Sequence, residues 1–322
     1  MQASSAEPLA RDTEHRSRAD ARHDLIFRLL LRFCALIVLA TLLGAALSTL
    51  WGGREVLFKD GLHFLFSSEW NPVEDRYGAL APIVGTLATS LIALVFAVPI
   101  SFGIALFLTE IAPNWMRGPI ATAIELLAAI PSIIYGMWGL FIFVPFMSNI
   151  EPWLNDTLGN IPLIGQLFQG PPLGLGLLTA GIVLAVMILP IISAVTREVF
   201  VKTPQSHIEA ALALGATRWE VVKTTVLPFG RSGYISGAML GLGRALGETV
   251  ALLIILRGTQ AAFGWSLFDG GYTFATKIAA TASEFNDQYK AGAYIAAGLV
   301  LFLLTFVVNA MARAAVAGKD IR

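Results

Sequence analysis

The sequence predicts an all-α integral membrane protein with six transmembrane helices. Three observations carry that reading. Of the 322 residues, 56% are hydrophobic and only 14% are charged, where a soluble domain carries about 25% charged residues; mean hydropathy is +0.71. Six apolar runs, at 29–51, 82–109, 119–147, 173–196, 233–256 and 289–312, each approach or exceed the ~20 residues an α-helix needs to cross a bilayer. Lysine and arginine gather on alternate sides of those runs.

In chain order, residues 1–24 mix charges and hold few large apolar side chains, a composition that predicts a disordered tail. Residues 25–322 then form the membrane domain. The first run is preceded by basic residues and contains Ala46-Leu47-Ser48, which resembles a signal-peptidase site. Its apolar core is nevertheless longer than the 7–15 residues of a signal peptide, so a retained span is expected. The second and third runs contain Pro99 and Pro131, each of which removes a backbone donor and predicts a kink.

Counting from the N-terminal side, one face holds Arg11, Arg16, Arg18, Arg22, Arg28, Arg32, Arg117, Arg197, Lys202, Arg218, Lys223, Arg231, Arg313, Lys319 and Arg322. The opposite face holds Arg54, Lys59, Arg76, Arg257, Lys277 and Lys290. The positive-inside rule therefore puts both termini in the cytoplasm. The loops on the opposite face carry Phe58, Phe64, Phe66 and Trp70 in 52–81, Gly170-Pro171-Pro172 at the end of 148–172, and many Gly and Thr in 257–288. Two readings stand for them: a lid or docking face, or aromatic residues anchoring helix ends at the interface.

The longest cytoplasmic loop, 197–232, is a helical hairpin by its capping signals. Thr203-Pro204 reads as a cap and a first-turn proline, Gly215 as the left-handed residue that ends the helix, and Thr217-Arg218-Trp219-Glu220 as a capping box opening a second helix that stops before Pro228. Ile208, Ala211, Leu212 and Trp219 are apolar with no membrane to bury them, which predicts a docking surface for another protein.

The fifth run reads GYISGAMLGLGRALGETVALLIIL. Arg244 and Glu248 stand in its middle, where a charge costs from ~2.5 to more than 10 kcal/mol. On a straight helix they share one face, one turn apart. Arginine presents a planar fork of donors suited to oxyanions. The pair either lines a polar path or only fixes helix packing; Thr249 beside it is a weaker path candidate, since membrane threonines usually bond their own backbone. Gly233, Gly237 and Gly241 recur every four residues, the spacing of a close helix crossing, expected here against a second subunit. Glu125 is a third intramembrane charge with no partner evident in the sequence.

Other chemistries leave no trace. No Gly-x-x-x-x-Gly-Lys-Ser/Thr loop is present, so no ATP site of that kind; His15, His23, His63 and His207 are scattered and give no metal cluster; Cys34 is single and lies in an apolar run; net charge is zero, which points to no nucleic-acid partner. No cofactor is implied.

Glu209-Ala210-Ala211, Gly215 and Leu227-Pro228 resemble the EAA loop of ABC importer permeases, with Thr225 at the position of that pattern's isoleucine. Leu240 to Thr249, Ala128-Ala129-Ile130-Pro131-Ser132 with Tyr135-Gly136-Trp138-Gly139-Leu140, and Thr86 to Ser90 are similar to the C-type permeases of phosphate-specific (Pst) ABC importers. The resemblance implies a type I importer permease in the plasma (inner) membrane that moves inorganic phosphate and has no ATPase site of its own. It implies a homologous A-type second permease, two ATPase subunits docking on the EAA loop, and an extracytoplasmic phosphate-binding protein; membrane lipid surrounds it. The alternatives are a permease for another oxyanion, such as sulfate or molybdate, or a self-sufficient secondary carrier that relays protons through Arg244 and Glu248.

Overall fold

The structure is a computed structural model that describes residues 7–162, 164–256, 264, 266–281 and 288–317. Parts of the third loop, the first six residues of the tail, and Arg257, Lys319 and Arg322 lie outside the described residues. Among the described residues there is one isolated bridge, Asn71 to Arg76, and every regular element is helical. Five helices are long and apolar enough to cross a membrane, and a bent pair supplies a sixth.

Two compact units divide at Gly52 and Gly53. α1 (Glu7–Asp60) is helical from its first described residue and crosses that boundary. Residues 7–24, read from the sequence as a disordered tail, continue this helix: alanine, arginine, leucine and glutamate are strong helix formers, and an Asp24–Arg28 ion pair at 2.7 Å spans one turn. The large apolar side chains between Leu25 and Leu50 are exposed, as lipid contact requires.

The second unit is built around α6 (Leu177–Val201), most of whose apolar window is buried, against under a third for the other straight spans. Its neighbours are α2 (Leu80–Leu106, extended by a π-helical turn over Phe107–Ile111), α3 (Asn114–Ala128), α4 (Ser132–Trp138) and α5 (Val144–Leu158). Ala93, Ala97, Leu184, Ile188, Ile192, Leu252 and Ile255 make the main core. Small residues on α2 let it lie close to α6, and Ser101 Oγ donates to Leu189 O across the pair at 3.0 Å.

The run 119–147 is not one span. Proline has no N–H and disfavours helix at the residue before it, so Pro131 separates α3 from α4, and the spanning segment is 132–158. Tyr135 Oη donates to Leu127 O at 2.8 Å and bridges the break.

After α6 come α7 (Gln205–Ala213) and α8 (Arg218–Val221). The second hairpin helix does not stop before Pro228. A π-helical turn over Val222–Val226 passes directly into α9 (Leu227–Leu246), where Pro228 occupies the first turn. A proline there gives up only a donor the α-segment does not need. Arg218–Leu246 is thus one rod, and α10 (Val250–Leu256) leaves it at a bend of 59°. α11 (Phe274–Ala280) and α12 (Gln288–Ala317) complete the unit.

The glycine stripe of α9 meets α6 of the same chain. A Cβ on Gly233 would stand 2.2 Å from Val199, and one on Gly241 2.7 Å from Ile192; at Gly237 it would be 3.3 Å from Ile192 O. The expected second-subunit crossing is corrected accordingly: the fourth and fifth spans are consecutive in sequence, so the close approach forms within the chain.

Candidate functional site

The hairpin is held by its ends and bare on its surface. Gly215 has φ +85° and turns the chain after α7; its N–H donates to Leu212 O at 2.9 Å, and Ala216 N–H to Ala211 O at 3.1 Å. Thr217 N–H donates to Glu220 Oε2 at 2.7 Å while Thr217 Oγ1 accepts from Glu220 N–H at 3.4 Å, the reciprocal box. The Thr203 cap does not form: Pro204 itself holds the cap position in an extended conformation, and Thr203 Oγ1 is buried without a partner. The helix starts one residue late because a proline with extended ψ cannot serve as its first turn here. No residue of α7 is buried. Glu209 and Ala210 are exposed, Ala211 is half-buried, and Leu212, Leu214 and Trp219 are exposed apolar groups. Leu227 and Pro228 lie in the rod behind them, away from the turn.

Arg244 and Glu248 are separated by the bend. Gly247 closes α9, and Glu248, only 8% exposed, accepts the Ala251 N–H on Oε1 at 3.3 Å. Its carboxylate thus caps the first turn of α10. Arg244 is exposed. Among the described residues the two make no ion pair, because the straight helix that would align them ends between them. Thr249 Oγ1 donates to Gly247 O at 3.3 Å, a bond to its own backbone.

Arg244 opens on a groove of about 960 Å³. Ser232, Ser236 and Gly243 of the rod line it with Arg244, and Asn309 and Arg313 enter from α12. Ile191, Ile235, Met239 and Leu240 make the apolar part of the wall; the hydroxyl, amide and guanidinium groups set among them can donate to an oxyanion. Ser232, Ser236 and Arg244 stand at helical spacings of four and eight, a stripe that was readable in the sequence. Asn309 and Arg313 gave no such signal, and Arg313 served only in the charge count.

Two other carboxylates have partners across the fold. Glu125 meets Arg197 at 3.9 Å, with Glu125 largely exposed. Glu151, in the loop by sequence, is fully buried in α5, and its Oε2 accepts the N–H of Gly174 at 2.7 Å. Gly174 has φ +71°, and a Cβ there would stand 2.3 Å from Val144 O. Phe64 is buried, whereas Phe58 and Phe66 are exposed.

Residues 82–319 match the family described as binding-protein-dependent transport system inner membrane component. The chain is 54% identical over 299 residues to the phosphate transport system permease protein PstC of Xylella fastidiosa strain 9a5c, covering 92% of each chain. It is 50% identical over 293 residues to PstC of Pasteurella multocida strain Pm70, covering 90% of each. With phosphate transport system permease protein PstC 2 of Mycobacterium tuberculosis strain H37Rv the identity is 52% over 260 residues, 80% of each.

Proposed function

Because the chain belongs to the family of binding-protein-dependent transport system inner membrane components, we propose that it is the C-type permease of an ATP-driven phosphate importer. It is a multi-pass inner-membrane protein and a transport subunit, with ATP hydrolysed in a separate partner. The observation that carries the substrate reading is the groove that brings the Arg244 and Arg313 guanidinium groups together, taken with relatives named for phosphate transport that align over nine-tenths of both chains.

In this reading both termini and the hairpin face the cytoplasm, as the basic-residue asymmetry favours. Two ATPase subunits dock on Glu209, Ala210, Ala211, Leu212, Leu214 and Trp219, and an A-type permease closes the groove. An extracytoplasmic phosphate-binding protein delivers the anion to the opposite face. Arg244 attracts it through the low-dielectric stretch, where its charge matters more than its volume. Thr249 sits beside that path with its hydroxyl turned to its own backbone, and Glu248 supports it by holding α10 in place.

The test is purification of the complex from detergent, with identification of the subunits that co-purify, followed by ATP-dependent phosphate uptake in proteoliposomes. Arg244→Gln is expected to assemble and to lose uptake; Arg244→Lys should keep part of it, since an ammonium lacks the planar fork. Uptake by Arg244→Gln equal to that of the parent removes Arg244 from the path. Phosphate counterflow by the chain alone, with no ATPase present, overturns the importer reading.

A further inference from the structure

The groove at Arg244 runs along the rod, well beyond the reach of that one arginine. Ser232 and Arg244 both line it, and about 12 rises of 1.5 Å, roughly 18 Å, lie between them on the helix. The facing wall is α12, which packs beside α9 and contributes Asn309 and Arg313. These two stand four residues apart, so they share one face of α12, a turn from each other. Successive spans alternate in direction. The fifth begins at the hairpin, so the sixth finishes on the hairpin side. The end of α12 (Gln288–Ala317) therefore lies toward the start of α9 (Leu227–Leu246), which puts Arg313 at the Ser232 end of the groove.

The charge at this end is unanswered. Among the described residues no carboxylate lines the groove, and Arg313 has no ion pair. A guanidinium without a carboxylate is best satisfied by an oxyanion that accepts on its parallel N–H groups. The Asn309 amide and the Ser232 hydroxyl can donate beside it. Along the rod, Ile235 and Met239 come between Ser232 and Arg244. An anion in the groove therefore meets two cationic places with an apolar stretch between them.

We propose that Arg313, with Asn309 and Ser232, forms a second site for a phosphate group, separate from Arg244 and set at the hairpin end of the groove. The phosphate oxygens come either from inorganic phosphate that has left Arg244 or from the headgroup of an anionic lipid. The inference rests on the importer reading for the passage of phosphate through the groove.

The assembled complex is purified in detergent free of phosphate and of added lipid. It is treated with phenylglyoxal, which modifies accessible guanidinium groups. The peptides carrying Arg313, Arg244 and Arg32 are then read separately by mass spectrometry; Arg32 is exposed on α1 and serves as the control. Inorganic phosphate should slow the modification of Arg313 saturably and leave Arg32 unchanged. Phosphatidylglycerol without phosphate is the second arm, and protection of Arg313 by it alone assigns the site to a headgroup. Asn309→Asp places a carboxylate one turn from the guanidinium and should raise the half-protecting ligand concentration about tenfold or more. Ser232→Asp, at an exposed position, gives the same reading if Asn309→Asp fails to assemble. In Arg244→Gln the half-protecting concentration at Arg313 should stay within about threefold. Protection of Arg313 by neither ligand, an unchanged midpoint in the aspartate variant that assembles, or loss of Arg313 protection in Arg244→Gln overturns the site. Protection of Arg244 alone overturns it too and leaves the importer reading standing. Loss of that reading shows separately, as a parent complex with all its partners that takes up no phosphate with ATP.

Discussion

Gly215 offers a clean measure of how much the hairpin turn contributes to docking. Its φ is +85°, and a Cβ added there meets nothing within 4 Å. Any cost of substitution is therefore conformational, with no steric clash to confuse it. A left-handed L-residue costs about 1–2 kcal/mol, and a β-branched one more, because its two γ-substituents crowd the backbone. Gly215→Ala should therefore lower the population of the native turn about 5- to 30-fold, Gly215→Val further, and Gly215→Asn least, since asparagine tolerates this region. The control is Gly118→Ala in α3, where the added methyl also meets nothing but φ is not positive; no loss is expected there. The assay is the amount of ATPase subunit retained on immobilised permease and the ATP hydrolysis stimulated by transport substrate. Membrane insertion, read from permease yield, should be unchanged. If Gly215→Val retains the ATPase and its stimulation at the level of Gly118→Ala, the turn does not set the docking geometry and the reasoning fails.

Other predictions follow from the same geometry. Thr217→Ala removes the reciprocal box and should destabilise the hairpin by about 1 kcal/mol, visible as faster backbone hydrogen exchange over 217–221. Cysteines at Leu214 and Trp219 should label with a membrane-impermeant maleimide in inverted vesicles stripped of ATPase and be protected when it is restored; labelling from outside intact cells refutes the orientation. Arg244→Gln and Glu248→Gln should act independently on complex yield, within ~0.5 kcal/mol of additivity, because no ion pair joins them; rescue of either by the double variant refutes this. Gly241→Leu must displace Ile192 on α6 and should lower complex yield severely, while Arg197→Gln, removing a long 3.9 Å pair whose carboxylate is largely exposed, should cost about 1 kcal/mol or less.

Hydropathy located six membrane crossings because lipid demands long apolar runs. It misplaced two boundaries for the same reason: Pro131 and Gly247 interrupt helices without interrupting apolarity, and a window average passes over both. Caps are local, so the left-handed Gly215 and the Thr217–Glu220 box were legible in a few residues. Thr203 misled, because the neighbouring proline took the cap position itself. Within the groove, Ser232, Ser236 and Arg244 share one helix and their spacing shows it. Asn309 and Arg313, like Arg197 beside Glu125, come from helices remote in sequence, and a single chain without its three-dimensional packing gives no rule for pairing them. Glu248 has a different partner from the one expected: a carboxylate expected to neutralise an arginine instead satisfies a backbone N–H at a bend.

The unbroken rod from Arg218 to Leu246 joins the hairpin to the groove through a single helix. Between Arg218 and Arg244 lie 26 rises of about 1.5 Å, or roughly 39 Å, with no loop along the way to absorb rotation. Tilting the docking end by one degree about the far end displaces the two termini relative to each other by about 0.7 Å over that length. Past Gly247 the chain is anchored differently, for Gly136 on α4 meets the backbone of Ala251 so closely that a Cβ would stand 2.9 Å away. The rod is thus packed on α6 along its glycine stripe, the segment past the bend is packed on α4, and the bend between them lies at Gly247 and Glu248, one turn beyond the guanidinium that faces the groove.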